Sequence, residues 1–119
     1  MSLSDEQYKF LKDVSKLLNF CIENNIKLTG GGLLRTKEQQ KIYFDSGKSK
    51  TMNSNHLKKL AIDLNFFIDG KLTYSKDKLQ FIGDYWESLS DQNRWGGNFV
   101  SFIDTPHFER LLKNAVTEP

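Results

Sequence analysis

Cysteine is almost missing from this sequence, and Cys21 stands alone. An internal disulfide and a cysteine-rich structural zinc site are therefore both excluded. Its place on an apolar helical stripe marks it as a buried, inert thiol. Charge of one sign is also scarce: the formal net charge is +2, with lysines scattered among Asp and Glu. No basic stripe of nucleic-acid size results, so a nucleic-acid partner is not expected. No apolar run approaches the roughly 18 residues that span a bilayer. The N-terminus has no secretory h-region, so the expectation is a chain made in the cytoplasm and not inserted in a membrane. Several catalytic signatures are absent too. There is no His-Glu-x-x-His helix and no nucleophile elbow. Gly47-Lys48-Ser49 has Ile42 where a phosphate loop needs glycine.

The 119 residues fit one domain, read here as 1–119 with a single core and a monomeric state. Nine Phe, four Tyr and two Trp supply enough aromatic surface to make disorder a poor reading. Ser4 and Gln7 read as a capping box, with Leu3 and Tyr8 as a staple around it. Phe10, Leu11, Val14, Leu17, Leu18 and Cys21 then follow a helical stripe that stops at Asn24 and Asn25. Residues 26–29 form a short alternating segment leading into Gly30, Gly31 and Gly32. A second helix is expected from Thr36, with Gln39 completing its cap and Gly47 closing it, followed by an exposed loop over 47–55. The sharp alternation over 61–68 predicts a half-buried strand, with Ile62, Leu64, Phe66 and Ile68 on one face and Ala61, Asp63 and Asn65 on the other. Asp69-Gly70 is a hairpin turn signal and residues 71–74 the return strand. Ser75 caps a helix whose stripe is Leu79, Ile82, Trp86 and Leu89. Trp95 to Phe99 and Thr105 to Leu111 complete the chain as short strands or turns. The fold class is α+β: a small central antiparallel sheet with helices packed on one face.

Only two histidines occur, and each lies near an aspartate: Ser54-Asn55-His56 leads to Asp63, and His107 closes Asp104-Thr105-Pro106-His107. A catalytic zinc takes three protein ligands and leaves its fourth position to water. His56, Asp63 and His107 supply that count. Asp63 breaks a strand pattern in which aspartate is disfavoured, and the alternation turns it away from the apolar face. Ser54 reads as structural rather than nucleophilic. Lys48, Lys50, Lys58 and Lys59 flank the first histidine and read as a solvated loop, with an anion-attracting rim as the alternative.

The ordered set Arg35-Thr-x-x-Gln39, Ser54-x-His56, Ala61-x-Asp63-Leu64, Trp95-Gly96-Gly97 and Asp104-x-Pro106-His107-Phe108-Glu109 resembles the zinc D-alanyl-D-alanine and L-alanyl-D-glutamate peptidase family. This family includes the vancomycin-resistance D,D-peptidases and phage endolysins, and its fold resembles the zinc domain of hedgehog proteins. The resemblance covers residues 30 to 109. It implies that His56, Asp63 and His107 bind Zn2+, that Asp104 is the catalytic acidic residue, and that Arg35 faces the substrate carbonyl or carboxylate, with Ser54 on the same substrate side. Aspartate rather than glutamate at 104 is similar to the phage-type endopeptidases and implies cleavage between L-Ala and D-Glu of bacterial peptidoglycan stem peptides. Two departures stand beside the ligands: Lys59, where the family often has glycine, and Leu34, where it often has an aromatic residue.

The implied mechanism has the metal lower the pKa of a bound water to about 7. Asp104 then takes that water's proton and passes it to the leaving amine. Three residues of straight strand would set Asp104 and His107 on opposite faces, so the scheme requires Pro106 to turn the chain. The leading expectation is a phage or prophage lysin that reaches the wall through a pore such as a phage holin. A D,D-carboxypeptidase of the same family, and a catalytically silent wall-binding or phage structural domain, are the alternatives.

Overall fold

The computed structural model describes residues 2–31, 45 and 58–112. The expected helix from Thr36, its cap at Gly47 and the loop over 47–55 lie outside the described residues, as do Arg35, Ser54 and His56. Helix α1 spans Leu3–Glu23, its cap two residues before the expected Ser4. Ser2 is the N-cap. Its hydroxyl accepts from the Asp5 N–H at 3.2 Å, while its own N–H donates to the Asp5 carboxylate at 3.3 Å. Asp5 thus does at the third helical position what glutamine was expected to do three residues after Ser4. Tyr8, expected to staple against Leu3, is exposed, and so is Leu11. The buried stripe is Phe10, Val14, Leu17 and Cys21, spaced by four, three and four residues, from which Leu11 is turned by about 100°. Asn25, at φ 57, turns the chain out of the helix.

Among the described residues five strands follow: β1 (Lys27–Gly30), β2 (Ala61–Ile68), β3 (Lys71–Thr73), β4 (Asn93–Trp95) and β5 (His107–Arg110). Helix α2 (Lys76–Ser88) intervenes before β4, and Ser75 caps it as expected by accepting from the Lys78 N–H. Strand β2 is the centre of the antiparallel sheet, whose order is β1-β2-β5-β4, with β3 also paired to β2. Strand β1 pairs with Leu64 to Phe67, β5 with Ala61 to Asp63 and β3 with Phe66 to Ile68. The β2–β3 connection is a two-residue turn with Asp69 at φ 52 and Gly70 at φ 78, the left-handed pair that matches hairpin twist.

Both helices share one core with a single face of this sheet. Leu64, Phe66, Phe108 and Trp95 pack with the α1 stripe and with Leu79, Ile82 and Trp86 of α2. Aromatic edges bind the layers: Trp86 meets Phe10 and Phe108 nearly at right angles, with centroids 5.7 and 5.9 Å apart. The Trp86 indole donates to the carbonyls of Arg94 and Glu109, tying α2 to β4 and β5. Cys21 is fully buried and its thiol is pushed up to about 11 by burial, as an inert core residue should be.

Candidate metal centre and catalytic cleft

Strand alternation carries the chemistry to the other face. In the β2–β5 register Ile62 opposes Phe108 on the helix side, so Asp63 opposes His107, and Ala61 opposes Glu109, on the open side. The Ala61-x-Asp63 and His107-x-Glu109 motifs therefore lie against each other as one two-by-two block. His107 is 8% exposed. Its Nδ1 stands 3.5 Å from Asp63 Oδ1, and its Nε2 is 2.7 Å from Glu109 Oε1. Phe99 packs against the imidazole with centroids 5.7 Å apart, and the Arg94 guanidinium covers the same Phe99 ring. Burial alone would push the imidazolium towards its neutral form. Hydrogen bonds to Asp63 and Glu109, and the two negative charges, outweigh burial and hold the pKa up at about 9.

Asp104 reaches the same region because the chain turns, as the spacing required. The His107 N–H donates to the Asp104 carbonyl at 3.1 Å, closing a tight turn through Thr105 and Pro106. This turn fills the gap between β5 and β3 along one edge of β2, and each of its parts is fastened. The Leu64 N–H donates to the Pro106 carbonyl and the Asp104 N–H to the Gly96 carbonyl, both at 2.9 Å. The Trp95 indole donates to the Thr105 carbonyl at 2.8 Å, and the Thr105 hydroxyl donates to the Tyr74 carbonyl at 3.0 Å. Trp95 is completely buried in a slot that requires Gly83 and Gly97, since a Cβ at either would overlap its rings. A Cβ at Gly96 would overlap the Asp104 carbonyl oxygen and crowd the His107 Cβ. Trp95-Gly96-Gly97 is thus the buttress of the acidic turn, and Trp95 and Phe108 are core residues.

An open cleft of about 500 Å³ is lined by Gly31, Asp63, Asn65, Tyr74 and Ile103 to Pro106. Gly31 continues the β1 pairing, its N–H donating to the Asp63 carbonyl at 2.7 Å, and a Cβ there would press on Asp63 at 3.1 Å. Of the six residues singled out from the sequence, the structure brings Asp63, His107 and Asp104 together. His56, Arg35 and Ser54 lie outside the described residues. Lys59 keeps a left-handed backbone at φ 59 just before β2. An L-residue there costs about 1–2 kcal/mol, so the strained approach to Asp63 is kept despite the side chain. Sequence reasoning missed Glu109 beneath His107, and Asn65 and Tyr74 in the cleft. The period of two from His107 and from Asp63 was the signal for Glu109 and Asn65. Nothing local pointed to Tyr74.

The donor set suits a zinc ion. Two donors each about 2 Å from a four-coordinate zinc lie about 3.3 Å apart. The imidazole nitrogen and carboxylate oxygen already stand near that spacing, with the far ring nitrogen on a carboxylate. Among the described residues no group of three His, Cys, Asp or Glu is placed to hold an ion.

An imidazole–carboxylate pair thus stands on an open sheet face, beside an acidic turn and an open cleft. The model of a peptidase family described as D-alanyl-D-alanine carboxypeptidase matches residues 47–110, and the chain belongs to that family. It is 36% identical over 107 residues to the L-alanyl-D-glutamate peptidase of Listeria phage A118, covering 87% of this chain and 37% of that protein. The chain thus spans little more than a third of the phage relative's length. Its fold is similar to the crystal structure of the L-Ala D-Glu endopeptidase ChiX of Serratia marcescens. That match has a TM-score of 0.71 and 21% identity, and covers 86% of this chain and 77% of that one. No helix among the described residues is long and apolar enough to cross a membrane.

Proposed function

We propose that this chain is a zinc-dependent peptidoglycan peptidase that cuts between L-Ala and D-Glu of the stem peptide. The observation that carries the reading is the cross-strand pairing of Asp63 with His107 beside the fastened Asp104 turn. Asp63 and His107 would hold the ion, with His56 as the third ligand. When bound, zinc supplies Lewis-acid polarisation of the scissile carbonyl and a water of lowered pKa. Asp104 lines the cleft half-buried, where its carboxylate takes a proton from the attacking water and returns it to the leaving amine. Arg35 would meet the negative charge that develops on the substrate, with Ser54 on the same side. Tyr74 and Ile103 line the same cleft and would contact the bound peptide.

The name of the phage relative favours the endopeptidase, and the description of the matching family model favours a second reading as a D-alanyl-D-alanine carboxypeptidase. Digestion of purified peptidoglycan with the zinc-loaded chain, followed by mass analysis, decides between them. New D-Glu amino termini are the expected result, and release of terminal D-Ala alone would replace it with the second reading. Wall binding with no peptide released in the presence of zinc would reduce the chain to a silent binding domain. The chain would act as a monomer on the wall, reaching it through a pore such as a phage holin if it is made inside the cell.

A further inference from the structure

Glu109 belongs to the quoted motif, yet the chemistry above gives it no part. It is a carboxylate only 8% exposed in the middle of a sheet, a position that costs several kcal/mol unless the charge is partnered. Its register neighbours are Ala61 on β2 and Arg94 on β4. Ala61 is the smallest side chain of the outer face of β2, and it leaves space for the glutamate to lie along the sheet rather than point into solvent. There Glu109 Oε1 meets His107 Nε2 at 2.7 Å, a charge-assisted distance. The opposite ring nitrogen, Nδ1, faces Asp63. Glu109 thus lies behind the imidazole, on the side away from the paired donors, and does not compete for an ion held between Asp63 and His107.

We infer that Glu109 is the positioning residue of the metal centre. It accepts the Nε2–H of His107, which fixes the proton on that nitrogen and leaves the Nδ1 lone pair directed at the position shared with Asp63. The inference rests on the proposed zinc site, and it adds a requirement that the ligand set alone does not make: the ring must be locked from behind. A charged acceptor also raises the electron density of the ligating nitrogen. Phe99, tilted against the ring, limits its movement but offers no acceptor for Nε2–H, so the aromatic contact cannot replace the carboxylate.

The full chain tests this as the unchanged protein, Glu109→Gln and Glu109→Ala, by competition for zinc against a chelator of known affinity and by 15N NMR of the zinc-loaded imidazole. Glu109→Ala is expected to lose about 10- to 100-fold in zinc affinity. It should also lose the slowly exchanging Nε2–H proton of His107. Glu109→Gln, whose amide oxygen can still accept that proton, should keep the NMR signal and recover part of the affinity. A far-ultraviolet circular dichroism spectrum and an unfolding midpoint for each variant separate loss of the fold from loss of positioning. Unchanged zinc affinity in folded Glu109→Ala would overturn the inference and leave the hydrolase reading standing. The expected affinity series in a chain that releases no peptide would uphold it and overturn the hydrolase reading instead.

Discussion

The two faces of the central sheet are built from alternate residues of the same strands, and they obey different rules. On the helix face, Leu64, Phe66, Trp95 and Phe108 are sealed under α1 and α2, and the buried Arg110 there is paired with Glu6. The Arg110 guanidinium is 4% exposed and donates to Glu6 of α1 and to Gln92, while Gln92 donates in turn to Glu6. On the open face, Asp63, His107 and Glu109 are a surplus of carboxylate around one imidazole, at the edge of a cleft. The first set pairs charges within the core; in the second, Asp63 and Glu109 stand on opposite nitrogens of the one ring, and only the Asp63 side opens on the cleft. Leu64 and Asp63 are neighbours, as are Phe108 and His107, so a one-residue slip of register would exchange core and site completely.

Substitutions at adjacent positions can break that comparison. The largest effect is expected at Asp104, which lines the cleft on the fastened turn. Asp104→Ala should lower the hydrolysis rate on peptidoglycan fragments by about 10²–10⁴-fold while retaining zinc at a one-to-one ratio. Full turnover in that variant would remove Asp104 from the chemistry. Next come Asp63→Asn and Leu64→Ala, one residue apart on β2. Leu64→Ala opens a cavity under the helices and should cost about 2–5 kcal/mol in denaturant unfolding. Asp63→Asn should abolish zinc retention yet move the unfolding midpoint of the metal-free chain by a smaller step. If both variants lost stability equally and both kept zinc, the division of labour between the faces would be wrong.

How much of this was legible depended on the range over which each residue's partner lies. The α2 cap at Ser75, the Asp69-Gly70 turn and the bounds of β2 followed from local pattern, because a cap, a left-handed pair and a period of two are written within a few residues. The α1 cap moved from Ser4 to Ser2 because serine recurs at both positions and Asp5 serves the box as glutamine would. Asp63 could be assigned to the open face by alternation, and the turn at Pro106 could be stated as a requirement. That Asp63 stands opposite His107, however, depends on a strand pairing across more than forty residues, which no local pattern sets. The same is true of the Trp95 indole under Thr105: a tryptophan followed by two glycines signals close packing, but the carbonyl it fastens comes from a turn ten residues on. His56, Arg35 and Ser54, outside the described residues, stand on the motif resemblance alone.

The smallest effect separates the faces by pH in the metal-free chain. His107 has its pKa raised to about 9. Its contribution to stability is therefore complete below the unfolded value near 6.5 and is lost as pH rises through 9, by up to about 3 kcal/mol. Glu6 behaves oppositely. Burial raises its pKa, but hydrogen bonds from Gln92 and Arg110 and the neighbouring positive charges of Arg110 and Lys9 hold it below the usual glutamate value. Its contribution is present above about 4.5 and is lost as pH falls. Thermal unfolding of the chelator-treated protein should thus show an acid limb from the helix face and an alkaline limb from the open face. Arg110→Met should remove the first, and Asp63→Asn should shrink the second. Zinc should erase the alkaline limb alone, because an ion held by the neutral ring replaces the proton whose loss destabilised it. An alkaline limb that persisted unchanged with zinc bound would mean that His107 is not a ligand.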